Sequence, residues 1–120
     1  MHTIVLDTSF LVDAVKFKVD LFSEFERICD FHYEIAIIDK TLDELKGKPG
    51  EKLIKEIIKK KEVHIMQTDH GKYVDDILLG LKQKDLIIAT QDKNLKRRLK
   101  VPIITIRQKK YLILNGIRGN

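Results

Sequence analysis

Short apolar runs alternate with stretches of helical spacing along almost the whole chain. Thr3-Ile4-Val5-Leu6, Glu34-Ile35-Ala36-Ile37-Ile38, Val63-His64-Ile65-Met66, Leu86-Ile87-Ile88-Ala89 and Pro102-Ile103-Ile104-Thr105-Ile106 each have the length and apolar content of a short strand. Between them, apolar residues at 21, 22, 25 and 28 predict a helix over Leu21 to Ile28. Asp39-Lys40-Thr41-Leu42 starts a second helix, which Gly47, Pro49 and Gly50 break. Leu53, Ile54, Ile57 and Ile58 mark a third, with Lys52, Lys55, Glu56, Lys59 and Lys60 as its solvated face. Tyr73 to Leu81 and Asp92 to Leu99 supply two more, and Tyr111-Leu112-Ile113-Leu114 adds an edge strand or covers a face of the core. Strands alternating with helices predict βαβ units: an α/β fold in three layers around a mostly parallel sheet. No Pro- or Gly-rich linker, repeat or low-complexity tract divides residues 1–120, so one domain is expected.

Composition narrows the class. With 43% hydrophobic residues the chain has enough aliphatic side chains for an ordered core. A lone cysteine, Cys29, makes neither an intrachain disulfide nor a zinc ribbon. Apolar runs of a few residues fall far short of the ~20 needed to span a bilayer, so no membrane partner and a cytoplasmic location are expected. The net charge of +5 is unevenly placed. Residues 93–120 carry nine Lys and Arg and no Asp or Glu, while the first 92 residues have a net of −4. Such asymmetry points to a polyanionic partner, because Lys and Arg hold phosphates and release their counterions on binding.

Candidate chemistry lies just beyond the strand ends, where open parallel sheets gather their functional groups. Asp7 directly follows the first strand, Glu44 lies on the helix after the second, Asp75 and Asp76 open the helix after the third, and Asp92 comes three residues after Ala89. Each also has a structural reading: Asp7 and Asp92 as helix N-caps, Glu44 as an exposed helical residue, Asp75 as an acid at a helix start. Brought together by the sheet, these carboxylates would repel one another and oppose folding unless protons or cations compensate. Hard divalent ions with oxygen ligands, Mg²⁺ or Mn²⁺, are the natural compensation. Two such ions about 4 Å apart can activate water and stabilise an in-line phosphoryl displacement. Helical spacing sets Asp75 beside Leu78 and Leu79, nearer the apolar face than Asp76; periodicity does not separate Asp43 from Glu44.

At these residues the sequence resembles the PIN-domain ribonuclease family. Asp7-Thr8-Ser9-Phe10-Leu11 after an apolar strand is similar to the family's opening motif, Leu42-Asp43-Glu44-Leu45 to its second and Tyr73-Val74-Asp75-Asp76-Ile77-Leu78 to its third. Ile87-Ile88-Ala89-Thr90-Gln91-Asp92-Lys93-Asn94-Leu95 is similar to the fourth and most specific. The resemblance spans essentially the whole chain in the expected order. It implies a Rossmann-like PIN fold and a metal-dependent endoribonuclease with Asp7, Glu44, Asp75 and Asp92 as catalytic, Mg²⁺- or Mn²⁺-binding acids, Asp76 standing as the substitute for Asp75. It implies that Thr8 and Thr90 orient Asp7 and the waters of the ion. Lys93, Lys96, Arg97, Arg98 and Lys100 fall where RNA would be held. RNA, a second copy of the chain, and either an antitoxin or a ribosome-assembly factor are the partners it suggests, with a toxin-type and an RNA-processing role both open. The competing reading is a non-catalytic RNA-binding or scaffold domain, which retention of all four acids disfavours.

Other motifs carry less. His2, His32, His64 and His70 have no metal-ligand spacing, although His70 is a candidate for a pocket rim. Gly47-Lys48-Pro49-Gly50 lacks the Gly-Lys-Ser/Thr ending of a phosphate loop, and Ser9 lacks the setting of a nucleophile.

Overall fold

Residues 1–68 and 73–116 are described by the structure, a computed structural model. The strands are β1 (His2–Leu6), β2 (Tyr33–Ile38), β3 (His64–Met66), β4 (Leu86–Ala89), β5 (Ile103–Arg107) and β6 (Tyr111–Asn115). The helices are α1 (Thr8–Lys16), α2 (Leu21–Ile28), α3 (Asp39–Glu44), α4 (Glu51–Lys60), α5 (Val74–Gly80) and α6 (Lys93–Arg98). The strands form one sheet in the order β3-β2-β1-β4-β5-β6. β1 runs parallel to β2 and β4, β2 to β3, and β4 to β5, whereas β6 returns antiparallel to β5. The terminal apolar run is therefore an edge strand.

Alternation along the central strands divides the core in two. Ile4 and Leu6 of β1, with Ile87 and Ala89 of β4, face the side packed by Phe10, Leu11, Phe25, Ile54 and Ile58 of α1, α2 and α4. Val5, Leu86 and Ile88 face the other way, against Val74, Ile77, Leu78 and Leu95 of α5 and α6. Helices thus cover both faces, as the strands' apolar character on both faces requires. α1 is the element that periodicity did not show. Phe10 to Val15 is apolar at every position but Asp13, because this helix is wedged between the sheet and α4 and has almost no solvent stripe. Among the described residues no helix is long and apolar enough to cross a membrane.

β1 sits at the point where strand order reverses: the chain proceeds outward through β2 and β3 on one side of it and through β4 and β5 on the other. In open α/β sheets the crevice beyond such a reversal is where ligands bind. The connections leaving the carboxyl ends of β1, β2 and β4 carry Asp7, Glu44 and Asp92.

Candidate active site

Asp7 follows the last residue of β1 and caps α1, its Oδ1 accepting from the Thr8 N–H at 2.9 Å. A second contact fixes its backbone, the Asp7 N–H donating to Ala89 O at 2.9 Å across the β1–β4 junction. Its Oδ2 accepts from Thr90 Oγ1 at 2.7 Å and from Ser9 Oγ at 3.0 Å. Thr90 is fully buried and in turn accepts the Asp92 N–H at 3.1 Å, so one hydroxyl ties two acids together. Ser9 accepts the Gln91 N–H at 3.2 Å. Burial raises the Asp7 carboxyl above its usual 3.8, the three hydrogen bonds pull against that, and the charge of Glu44 adds to the rise.

Glu44, at the end of α3, accepts from Thr8 Oγ1 at 2.5 Å. Asp92 caps α6, its Oδ1 accepting from the N–H groups of Asn94 at 2.9 Å and Leu95 at 3.1 Å. Asp75, in the first turn of α5, is half-buried while Asp76 is exposed. The Asp75 carboxyl is also raised, first by burial and then by the charges of Asp7 and Asp92, with Arg98 opposing. The charge of Glu44 thus bears on Asp7, and those of Asp7 and Asp92 bear on Asp75.

These carboxylates line one cavity of about 420 Å³, walled by Asp7, Thr8, Ser9, Val12, Asp13, Glu44, Lys48, Asp75 and Asp92. Asp75 rather than Asp76 faces it, and Glu44 rather than Asp43, which turns outward to pair with Lys46 at 3.7 Å. The structural and functional readings of Asp7 and Asp92 prove compatible: one oxygen caps a helix while the residue still lines the cavity. Thr8 and Thr90 each hold an acid, Thr8 bonding Glu44 as well as Asp7.

Three residues carry more than the sequence indicated. Ser9 is a positioning hydroxyl on Asp7, Asp13 is a fifth acid, and Lys48 is a cation on the wall. A signal for Asp13 exists: it is the lone acid in an apolar run, four residues after Ser9 on the same helical face. Of the five basic residues assigned to RNA, Lys93, Lys96 and Arg97 form a shallow concavity on α6, and Arg98 lies near enough to influence Asp75. Lys100 is exposed just beyond the helix. His70 and Arg118 fall outside the described residues. Phe10 and Phe25 are core, with Phe22 and Phe31 packed at its margin. Burial pushes the Cys29 thiol up to about 11, which suits packing and not reactivity.

Among the described residues the acidic and hydroxyl groups lining the cavity offer oxygen donors, which suit a hard divalent ion such as Mg²⁺ or Mn²⁺. Among the described residues, no three Asp, Glu, His or Cys side chains draw close enough to form a ready-made cage.

Known proteins resemble this chain in sequence and in fold. A family model described as a PIN like domain matches residues 4–109. A protein named Ribonuclease VapC4, from Methanocaldococcus jannaschii, is 33% identical over 132 aligned positions that span 98% of this chain and 99% of that protein. Among solved structures, that of the PIN domain endonuclease Utp24 superposes with a TM-score of 0.82 at 24% identity, covering 96% of this chain and 92% of the other.

Proposed function

Because the chain belongs to the PIN-like domain family, we propose that it is a divalent-metal-dependent endoribonuclease acting in the cytoplasm, with residues 1–120 working as one domain and the cavity beyond β1 as its cutting site. The observation that carries this reading is the convergence of Asp7, Glu44, Asp75 and Asp92 on one cavity, where burial and then neighbouring acids raise the carboxyls of Asp7 and Asp75. These four residues would hold Mg²⁺ or Mn²⁺. Such ions supply a water activated at neutral pH and neutralise charge on the phosphate oxygens.

The chain's own residues prepare that chemistry. Asp7 is held at both oxygens by Thr8, Ser9 and Thr90, so its carboxylate needs no reorganisation when a ligand arrives. Thr8 holds Glu44 in the same way, and the Asp92 cap leaves its second oxygen directed by a fixed helix start. Lys93, Lys96, Arg97, Arg98 and Lys100 would grip the RNA backbone beside the acids without reading sequence. Hydrolysis would leave a 5′-phosphate and a 3′-hydroxyl.

The name of the Methanocaldococcus jannaschii relative supports RNA as the substrate. A second copy of the chain, and either an antitoxin or a ribosome-assembly factor, are the protein partners we propose. Growth arrest on expression of the chain alone would mark the toxin-type role, and an accumulating RNA precursor in its absence the processing role. Cleavage of structured and single-stranded RNA with Mn²⁺, comparing wild type with Asp92→Asn, tests the activity itself. Asparagine still caps α6, so the variant should fold yet lose at least about 100-fold in rate, as removal of a charge-stabilising group does. Equal cutting by both proteins would refute the site.

A further inference from the structure

Among the described residues, the cavity that holds the acids is also lined by one cation, Lys48. The described ion pairs of the chain are Arg27–Glu24, Lys46–Asp43 and Lys55–Glu51, and none engages Lys48. A lysine that lines a strongly acidic cavity and joins none of the described ion pairs is placed to meet an incoming anion.

Its mount is fixed. The Lys48 N–H donates to Leu45 O at 3.0 Å, and the Lys48 carbonyl accepts from the Glu51 N–H at 3.1 Å. The Gly47 N–H donates to Glu51 Oε1 at 2.9 Å. The turn is pressed against α1, which carries Thr8, Ser9 and Asp13 into the cavity: a Cβ on Gly50 would stand 2.9 Å from Val15 Cγ1. Lys48 is therefore positioned relative to Asp7 by backbone contacts and not by a wandering loop.

Topology sets the direction. Lys48 follows α3 and β2 on one side of β1, whereas α6 with its basic residues follows β4 on the other. Asp7, at the end of β1, lies between them. A phosphodiester approaching five carboxylates is repelled, and cations on only one side would hold the strand at one end while leaving the other to swing. We propose that Lys48 is a phosphate-binding residue on the wall opposite α6, so that the RNA strand is gripped on both sides of the acids. The substrate class is then an RNA chain that continues past the cut in both directions. This inference rests on the nuclease reading for the position of the cut, and on the cavity alone for the binding.

Binding of a fluorescent single-stranded RNA in EDTA, measured across a KCl series, separates the two. Lys48→Ala should weaken affinity by about 5- to 10-fold at low salt and reduce the slope of log K against log[KCl] by about 0.7, the loss of one single-strand phosphate contact. Lys48→Arg should restore both values, and Lys60→Ala, on the exposed last turn of α4, should change neither. With Mn²⁺ present, Lys48→Ala should raise KM while kcat stays within about 2-fold, the pattern of lost uniform binding. Unchanged affinity and slope in Lys48→Ala would overturn the proposal even if the wild type cuts RNA. RNA binding that depends on Lys48, without cutting in Mg²⁺ or Mn²⁺, would sustain it and sink the nuclease reading. Wild type that does not bind RNA at all would sink both.

Discussion

Alanine at Gly50 and alanine at Gly47 pose two different physical problems in one four-residue turn. Both glycines adopt left-handed backbone, with φ of +77° at Gly47 and +83° at Gly50. At Gly47 nothing lies within 4 Å of an added Cβ, so the cost is conformational alone, about 1 kcal/mol. At Gly50 the same Cβ meets Val15 Cγ1 at 2.9 Å, a separation that real Cβ contacts do not show. Valine in a helix has one strongly preferred χ1, so Val15 cannot swing aside and α1 or α4 must shift. Overpacking of this kind costs about 1–3 kcal/mol, which puts Gly50→Ala at about 2–4 kcal/mol in total. Against a stability of about 5–15 kcal/mol for a domain of this kind, the difference is readily measured. Urea unfolding of both variants in EDTA provides the comparison, read as midpoint changes at constant slope. Adding Val15→Ala should recover at least about 1 kcal/mol of the Gly50→Ala loss and none of the Gly47→Ala loss. Equal losses in the two single variants, within about 0.5 kcal/mol, would refute the docking of the Lys48 turn on α1.

Two further outcomes follow from the fold's ends and edges. α4 closes with Val63 N–H on Ile58 O at 3.0 Å and Glu62 N–H on Lys59 O at 3.3 Å, leaving Glu62 at φ +53°, where glycine is preferred; Glu62→Gly should stabilise by about 0.5–1 kcal/mol, raising Tm by about 2–6 °C, and a lower Tm would contradict it. On the outer edge of β6, Glu24 Oε1 accepts the Leu112 N–H at 2.9 Å and Arg27 donates to Leu112 O at 2.7 Å, satisfying backbone that would otherwise invite another strand. The Arg27 guanidinium holds the Glu24 carboxyl below 4.5, so its stabilisation is present above that pH and lost as pH falls through the lowered value; Glu24→Gln should flatten that acid limb, and an unchanged limb would contradict the pairing.

The strands were legible because a sheet covered on both faces demands apolar residues at consecutive positions, and Ile4-Val5-Leu6 and Ile87-Ile88-Ala89 show this plainly. The same burial hid α1: a helix with apolar neighbours on both sides has no polar stripe from which to read a period. The acids were legible because their places after strand ends are a local property of the chain. Their coupling was not, since Ser9 and Thr90 meet on Asp7 only once β1 and β4 pair, 83 positions apart for Asp7 and Thr90. Lys48 read as part of a helix-breaking turn, and only the packing of that turn on α1 directs it towards the acids. Asp75 lines the cavity while Asp76 is exposed, a difference that follows from the helical face each occupies.

The most direct measurement of the central claim is the melting temperature of wild type and Asp7→Asn, each with EDTA and with millimolar Mn²⁺. Burial raises the Asp7 carboxyl above 3.8, so the folded protein binds a proton that the unfolded chain has already lost. Metal-free stability therefore falls as pH rises from 3.8 through that raised value and stays low above it. Asparagine removes the charge, keeps an oxygen for the Thr8 N–H, and meets hydroxyls at Ser9 and Thr90 that can turn to accept. In EDTA at pH 7, Asp7→Asn should melt at or above wild type. With Mn²⁺ at about 100 times its dissociation constant, wild type should gain about 2.7 kcal/mol, roughly 5–15 °C, while Asp7→Asn gains little. An equal Mn²⁺ shift in both proteins, or none in wild type, would contradict a carboxylate cluster built to receive divalent ions.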